Sequence, residues 1–297
     1  MPFGGNDWLA LTEEPVIEPD LPICDPHHHL WQHPNSTYLT EELLKDTRTG
    51  HNVTSTVFVE CMTKYHRDST KALAPVGETE FIDRLATANT ESNTHTSIAK
   101  AIVGFADLLL GDSVEQVFDA HLEASPNRFK GIRHASGWDP SDQIRNSHTN
   151  PMRFLYLDKT FQKGFAKLLD YDFTFDAWLY HPQHEDLLKL AKSFPNQIIV
   201  LDHVGGPLGI GPYQAQRHCV FESWKKTPGA YFVGKRPMMT TLDAPIWLRW
   251  ARECNEGTFG EKELRVYPSG TKHFKAQGIP PEYTDAGFSL SSSGVST

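Results

Sequence analysis

The sequence predicts a (β/α)8 TIM barrel, with its seventh and eighth strands incomplete or distorted. Three observations predict it. Six β-patterned runs alternate with helical ones, two of those runs are almost unbroken apolar stretches, and histidines gather where the runs end. Parallel βαβ units bury both sheet faces and keep their chemistry at the C-terminal ends of the strands. A doubly wound open sheet is the competing fold, but no Gly-x-Gly-x-x-Gly follows the first strand.

The elements follow in order. Residues 1–21 are a polar, Pro-broken lead-in, 22–267 the barrel, and 268–297 a Gly-, Pro-, Lys- and Ser-rich tail expected to be flexible. The first strand opens at Ile23 and runs toward Trp31. Thr40 before Glu41 and Glu42 suits a helix start, and Thr54 to Cys61 is a β-branched second strand. Glu78 to Ala88 has helical apolar spacing, and Ala101 to Asp107 reads as the third strand. Ser113 with Gln116 makes a capping-box pattern before a helix from Val114 to Glu123. Phe129 to His134 is the fourth strand, and Asp158 suits the cap of a helix reaching Leu169. Phe173 to Tyr180 is the fifth strand, Gln183 to Phe194 an amphipathic helix, and Ile198 to Asp202 the sixth strand. Beyond residue 228 the pattern thins. Ala230 to Val233 is a candidate seventh strand, Asp243 to Cys254 a candidate helix, and Leu264 to Tyr267 a poor eighth strand.

Composition narrows the class. With 297 residues, 39 % hydrophobic and 11 % aromatic, one large core is affordable. A net charge of −9 argues against a nucleic-acid surface or an anionic membrane. No apolar run reaches membrane-spanning length, and the first residues lack the basic-then-apolar order of a secretory signal. Cys24, Cys61, Cys219 and Cys254 are widely spaced, as reduced thiols of a cytoplasmic protein would be.

The chemistry-bearing stretch is Ile23-Cys24-Asp25-Pro26-His27-His28-His29-Leu30-Trp31. In an extended strand His27 and His29 share a face and His28 points away. Two imidazoles on one face can hold a divalent metal such as zinc or bracket a substrate oxygen. Two metal ligands need a third. Asp25 orients a histidine or caps the turn. Arg133 and His134, ending the fourth strand, are the candidate substrate-binding pair. Arg133 either grips an acidic group or polarises a carbonyl, unless it is consumed inside the barrel by Asp107 or Glu60. Asp202 and His203 end the sixth strand beside Gly205-Gly206, which permits close backbone approach or positive φ. His181 follows the fifth strand and precedes Pro182. Asp176, in mid-strand, reads as structural, and His33, His51, His66, His95, His121, His148, His184, His218 and His273 read as surface residues.

The Asp-x-His-x-His-Leu-Trp stretch, together with Val200-Leu201-Asp202-His203-Val204-Gly205-Gly206-Pro207, resembles the amidohydrolase-2 family, in particular its lactonase-like branch. The resemblance spans roughly residues 22 to 228. It implies a barrel hydrolase in which water attacks the carbonyl of a small acidic ester or lactone. His27, His29, His181 and His203 would be catalytic, with the first three as metal ligands where a metal is used. It also leaves open a metal-dependent decarboxylase. The family's general base is an aspartate ending the eighth strand, where this chain reads Arg265-Val266-Tyr267-Pro268-Ser269. That departure motivates a third reading, a non-catalytic barrel that binds a small acid.

Overall fold

A computed structural model describes residues 16, 18–34 and 36–220 and the backbone of 239 and 240. The main sheet is built from β1 (Ile23–His28), β4 (Val53–Val59), β5 (Ser97–Gly104), β6 (Phe129–Arg133), β7 (Thr174–Ala177), β8 (Ile199–Leu201) and β9 (Met239–Thr240). A short antiparallel hairpin, β2 (Trp31–His33) and β3 (Ser36–Tyr38), branches off after β1. The main sheet runs β1-β4-β5-β6-β7-β8-β9, and every neighbouring pair is parallel. Sequential parallel order is what right-handed βα crossovers produce when a sheet curls toward a barrel. Among the described residues β1 and β9 are the two ends of that sheet.

The helices α1 (Thr40–Asp46), α2 (Val76–Glu91), α3 (Glu115–Ala124), α4 (Lys159–Lys167) and α5 (His184–Ser193) follow strands as expected. Strand alternation divides the side chains between two worlds. Phe58, Ile102, Ile132, Phe175 and Leu201 join a core in which Phe118, Phe161 and Phe165 from the helices are fully buried. At the later strands the alternating positions are polar: Arg133, Asp176 and Asp202. Arg133 and Asp176 stand side by side in register across β6 and β7. Asp176 therefore falls in mid-strand because its side chain belongs to the barrel interior, while Phe175 and Ala177 serve the core.

Several starts and stops differ from the sequence pattern. Asp158 caps α4 as expected, accepting from Thr160 N at 2.8 Å and Phe161 N at 2.9 Å. Ser113 caps nothing: it lies inside a 3-10 segment, Leu108–Val114, where Gly111 has φ 57°, and α3 starts without a side-chain cap. Leu39, and not Thr40, precedes α1, with Glu42 reaching back to its N–H at 2.9 Å. The seventh strand of the sheet is Met239–Thr240, past the Ala230 to Val233 run. That run, Asp243 to Cys254, Leu264 to Tyr267 and the tail 268–297 lie outside the described residues.

Glu78, in the first turn of α2, holds the loop that leaves β4. Its Oε1 accepts from Cys61 N at 3.0 Å and Thr63 N at 2.7 Å. The same loop has two left-handed residues, Met62 and Lys64, which an unanchored turn would disfavour. Burial, then the charge of Glu60, raises the Glu78 carboxyl to about 8. The folded state thus binds this proton more tightly than the unfolded chain. Its contribution to stability is complete below the ordinary carboxylate range and is lost as pH rises toward 8. Glu78→Gln, which keeps an acceptor without a charge, is expected to stabilise the protein above neutral pH by about 1–3 kcal/mol. Thermal unfolding at pH 6 and pH 9 checks this: the gain should grow with pH, and a gain independent of pH would rule out ionisation as its source.

Candidate active site

The site begins with the geometry of one strand end. His27 and His29 face each other, with Nε2 atoms 3.3 Å apart and rings edge to face at 4.9 Å. His28 turns the other way, buried against Phe58, and its Nε2 lies 2.8 Å from Thr56 Oγ1. Thr56 Oγ1 also accepts from Ala99 N at 2.9 Å. Asp25 caps the turn, accepting from His27 N at 3.1 Å.

Partners set the tautomers of the facing pair. His29 Nδ1 is 2.7 Å from Val59 O, an acceptor, so Nδ1 carries the proton and Nε2 presents a lone pair. Burial, with Arg133 and His27 nearby, lowers the His29 imidazole to about 4, so the ring is neutral at physiological pH. His27 Nδ1 lies 3.6 Å from Asp202 Oδ1, a charge contact longer than a hydrogen bond. That carboxylate favours the Nδ1–H form, leaving His27 Nε2 open toward His29 and toward Arg133 Nη1 at 3.4 Å. His203, whose φ is 47°, completes the rim with its ring 4.7 Å from His27 and 4.8 Å from Trp178.

Beside this pair the charged groups are paired and buried. Arg133 is 5 % exposed, and its Nε donates to Glu60 Oε1 at 2.8 Å and its Nη2 to Glu60 O at 2.5 Å. Its Nη1 reaches Asp202 Oδ2 at 3.5 Å. Burial works to raise the Glu60 carboxyl, but Arg133 and His148 outweigh it and bring it down to about 2. The same contest at Asp202 ends below the ordinary carboxylate range, because His27 and Arg133 overcome burial. Asp176 goes the other way: burial and the Asp202 charge raise it well above that range. Asp202, beside His27, and Asp176 are thus pushed in opposite directions by their surroundings.

The remaining candidates are distributed. His134 does not join the cluster; it packs between Phe105 and Phe161, with Nδ1 accepting from Leu108 N at 3.3 Å. His181 has its Nδ1 on Leu208 N at 3.3 Å and its ring 4.9 Å from Tyr213. Among the described residues no group of three His, Cys, Asp or Glu side chains is arranged to hold a metal ion. The two Nε2 atoms do fit one edge of such a site. Ligands at about 2.0–2.1 Å in tetrahedral array stand roughly 3.3 Å apart, the separation of His27 from His29. The Gly205-Gly206 pair serves the turn, with φ 69° and 55°. A Cβ on Gly205 would strike His184 Nε2, and one on Gly206 would strike Leu179 O, so the close approach is to the protein itself.

Among the described histidines read as surface residues, two are buried and a third reaches the site. His121 is fully buried between Thr79 Oγ1 at 2.8 Å and Phe105 O at 3.0 Å. His184 is buried with Nε2 2.7 Å from Gly205 O. His148 turns its ring to Glu60. Sequence reasoning named Asp202 beside His203 and Glu60 as one option for Arg133, but missed the contacts of Asp202 with His27 and of Glu60 with His148. The positions of Asp202 and Glu60 at strand ends were the available signal.

A parallel sheet curling toward a barrel, with histidines, an arginine and buried carboxylates at its strand ends, defines a barrel hydrolase of the amidohydrolase type. The chain belongs to the amidohydrolase family, whose profile matches residues 24–232. It is 28 % identical over 236 residues to the uncharacterized protein y4mH of Sinorhizobium fredii, covering 70 % of this chain and 68 % of that one. It also resembles an amidohydrolase from Burkholderia multivorans solved with bound zinc. The TM-score there is 0.51 at 18 % identity, covering 83 % of this chain and 84 % of that one. A probable 2-pyrone-4,6-dicarboxylic acid hydrolase from Acinetobacter baumannii gives 0.47 at 11 % identity, over 84 % and 85 % of the two chains. Among the described residues no helix is long and apolar enough to cross a membrane, and Cys24, Cys61 and Cys219 are free thiols.

Proposed function

We propose that this amidohydrolase opens a small-molecule ester or lactone by attack of water on its carbonyl, at the cluster of His27, His29, Arg133, Asp202 and His203. The carrying observation is the Asp202–His27–Arg133 arrangement, an ionised carboxylate at Nδ1 of an imidazole whose Nε2 faces a guanidinium N–H. His27 Nε2 takes the proton from the attacking water, and Asp202 stabilises the imidazolium that forms. Arg133 Nη1 stabilises the negative charge developing on the carbonyl oxygen. His29, fixed by Val59 O, orients the water or the carbonyl. In this reading Asp202 does the work of the acid that the eighth-strand segment lacks.

In a metal-loaded form, in which His27 would no longer be the base, Nε2 of His27 and His29 would hold a divalent ion such as zinc; His181, the third ligand expected from the sequence, is not grouped with them among the described residues. When bound, the ion would supply Lewis-acid polarisation and a lower pKa for its water. The role we give Arg133 is polarisation of a carbonyl. Glu60 and Asp202 already place two carboxylates on its one guanidinium. An acidic group on the substrate would then need another cation, for which Arg145 and Arg153, exposed in the loop between β6 and α4, are the candidates. The free thiols fit a cytoplasmic site of action.

The test is a panel of lactones and esters, neutral and carboxylated, assayed by acid release with and without added zinc. Turnover that disappears in Asp202→Asn is expected, by about 10²–10⁴-fold. Turnover unchanged in that variant, or confined to decarboxylation, would overturn the reading.

A further inference from the structure

His148 lies in the long loop between β6 and α4, and its Nε2 is 3.2 Å from Glu60 Oε1. That oxygen is the one that takes Arg133 Nε at 2.8 Å. Glu60 is fully buried, whereas the His148 side chain is 27 % exposed, so this ring stands between the carboxylate and solvent. Its placement is fixed from both sides. Ser147 donates to Gly137 O through its N–H at 2.8 Å and its hydroxyl at 3.1 Å, and Thr149 Oγ1 donates to Ala135 O at 2.7 Å. The residues flanking His148 are thereby tied to the chain leaving β6. Gly137 is required for this approach, since a Cβ there would lie 2.5 Å from Ser147 Oγ.

The contacts of Arg133 are unequal. Those to Glu60 are 2.8 and 2.5 Å, and those to His27 and Asp202 are 3.4 and 3.5 Å. The short pair determines where the guanidinium sits, and the long pair is where it meets the reacting groups. A carboxylate sharing its charge with a second donor pulls less on the first. Glu60 Oε2 has no partner among the described residues, so the distribution of donors on Oε1 governs the balance.

We propose that His148 is a positioning residue: by donating to Glu60 Oε1 it fixes Arg133 Nη1 beside His27. This rests on the hydrolytic role given to Arg133 and His27. Without the donor, the guanidinium is drawn toward Glu60 and away from the carbonyl oxygen it stabilises.

The test compares His148→Phe, which keeps a ring without a donor, with His148→Gln, whose amide can still donate to Glu60. Both are measured by kcat, KM, melting temperature and the exchange rate of the Arg133 Nε–H proton by NMR. The Phe variant should lose about 10–100-fold in kcat with KM and melting temperature little changed, and Arg133 Nε–H, held more tightly by Glu60, should exchange more slowly. The Gln variant should recover most of both. Gly137→Ala, which displaces Ser147, should resemble the Phe variant. Wild-type kcat and unchanged exchange in His148→Phe would overturn the proposal. So would a Gln variant as impaired as Phe, or losses that track melting temperature. Should the wild type hydrolyse nothing while exchange responds as expected, the tie between His148 and Arg133 stands and the hydrolase reading falls.

Discussion

His27→Ala is expected to lose about 10²–10⁴-fold in turnover, the share that a positioned general base contributes. The fold should survive, because the ring is held by loose contacts at a strand end and contributes little to the packed core. Its loss would also remove the partner that helps keep Asp202 ionised, so the pH dependence of any residual rate should shift with it. Steady-state kinetics beside thermal unfolding decides the matter. Full activity in a folded variant would count against the entire site.

Arg133→Met is expected to cost about 3–5 kcal/mol of stability, because it strands Glu60 and weakens Asp202, both fully buried. A residue that only gripped an acidic substrate would give a milder result, a raised KM. The difference comes from burial: a 5 % exposed guanidinium with two carboxylates on it is part of the fold before it is part of binding. Denaturant unfolding measures it. A loss under about 1 kcal/mol, as for exposed ion pairs, would show that solvent reaches the pair.

What could be read from the sequence was local. The two-residue period put His27 and His29 on one face, and β-branched runs marked the first six strands of the barrel, because these depend on neighbours in sequence. The helix expected from Val114 to Glu123 forms as Glu115–Ala124, but Ser113 does not cap it, because Ser113 lies inside a 3-10 segment that follows the turn at Gly111. Asp202 was seen beside His203, but its contact with His27 was not, and Glu60 entered only as one option for Arg133. These pairings join distant strands, and no spacing rule encodes them. His148 looked like a surface residue because its neighbours are polar. Nothing local says that Ser147 and Thr149 fold back on Gly137 and Ala135.

The contact of Arg133 with His27 closes across 106 residues, between strands that are not neighbours in the sheet. Each βα unit can pair with the one before it as it forms, but the cluster exists only once the sheet has curled enough to bring β1 opposite β6 and β8. Closure of so long a loop is entropically late. On the function proposed above, competence for chemistry is therefore expected to come last as the chain folds and to be lost first on mild perturbation. A slight opening of the curl would silence the protein while leaving its secondary structure intact.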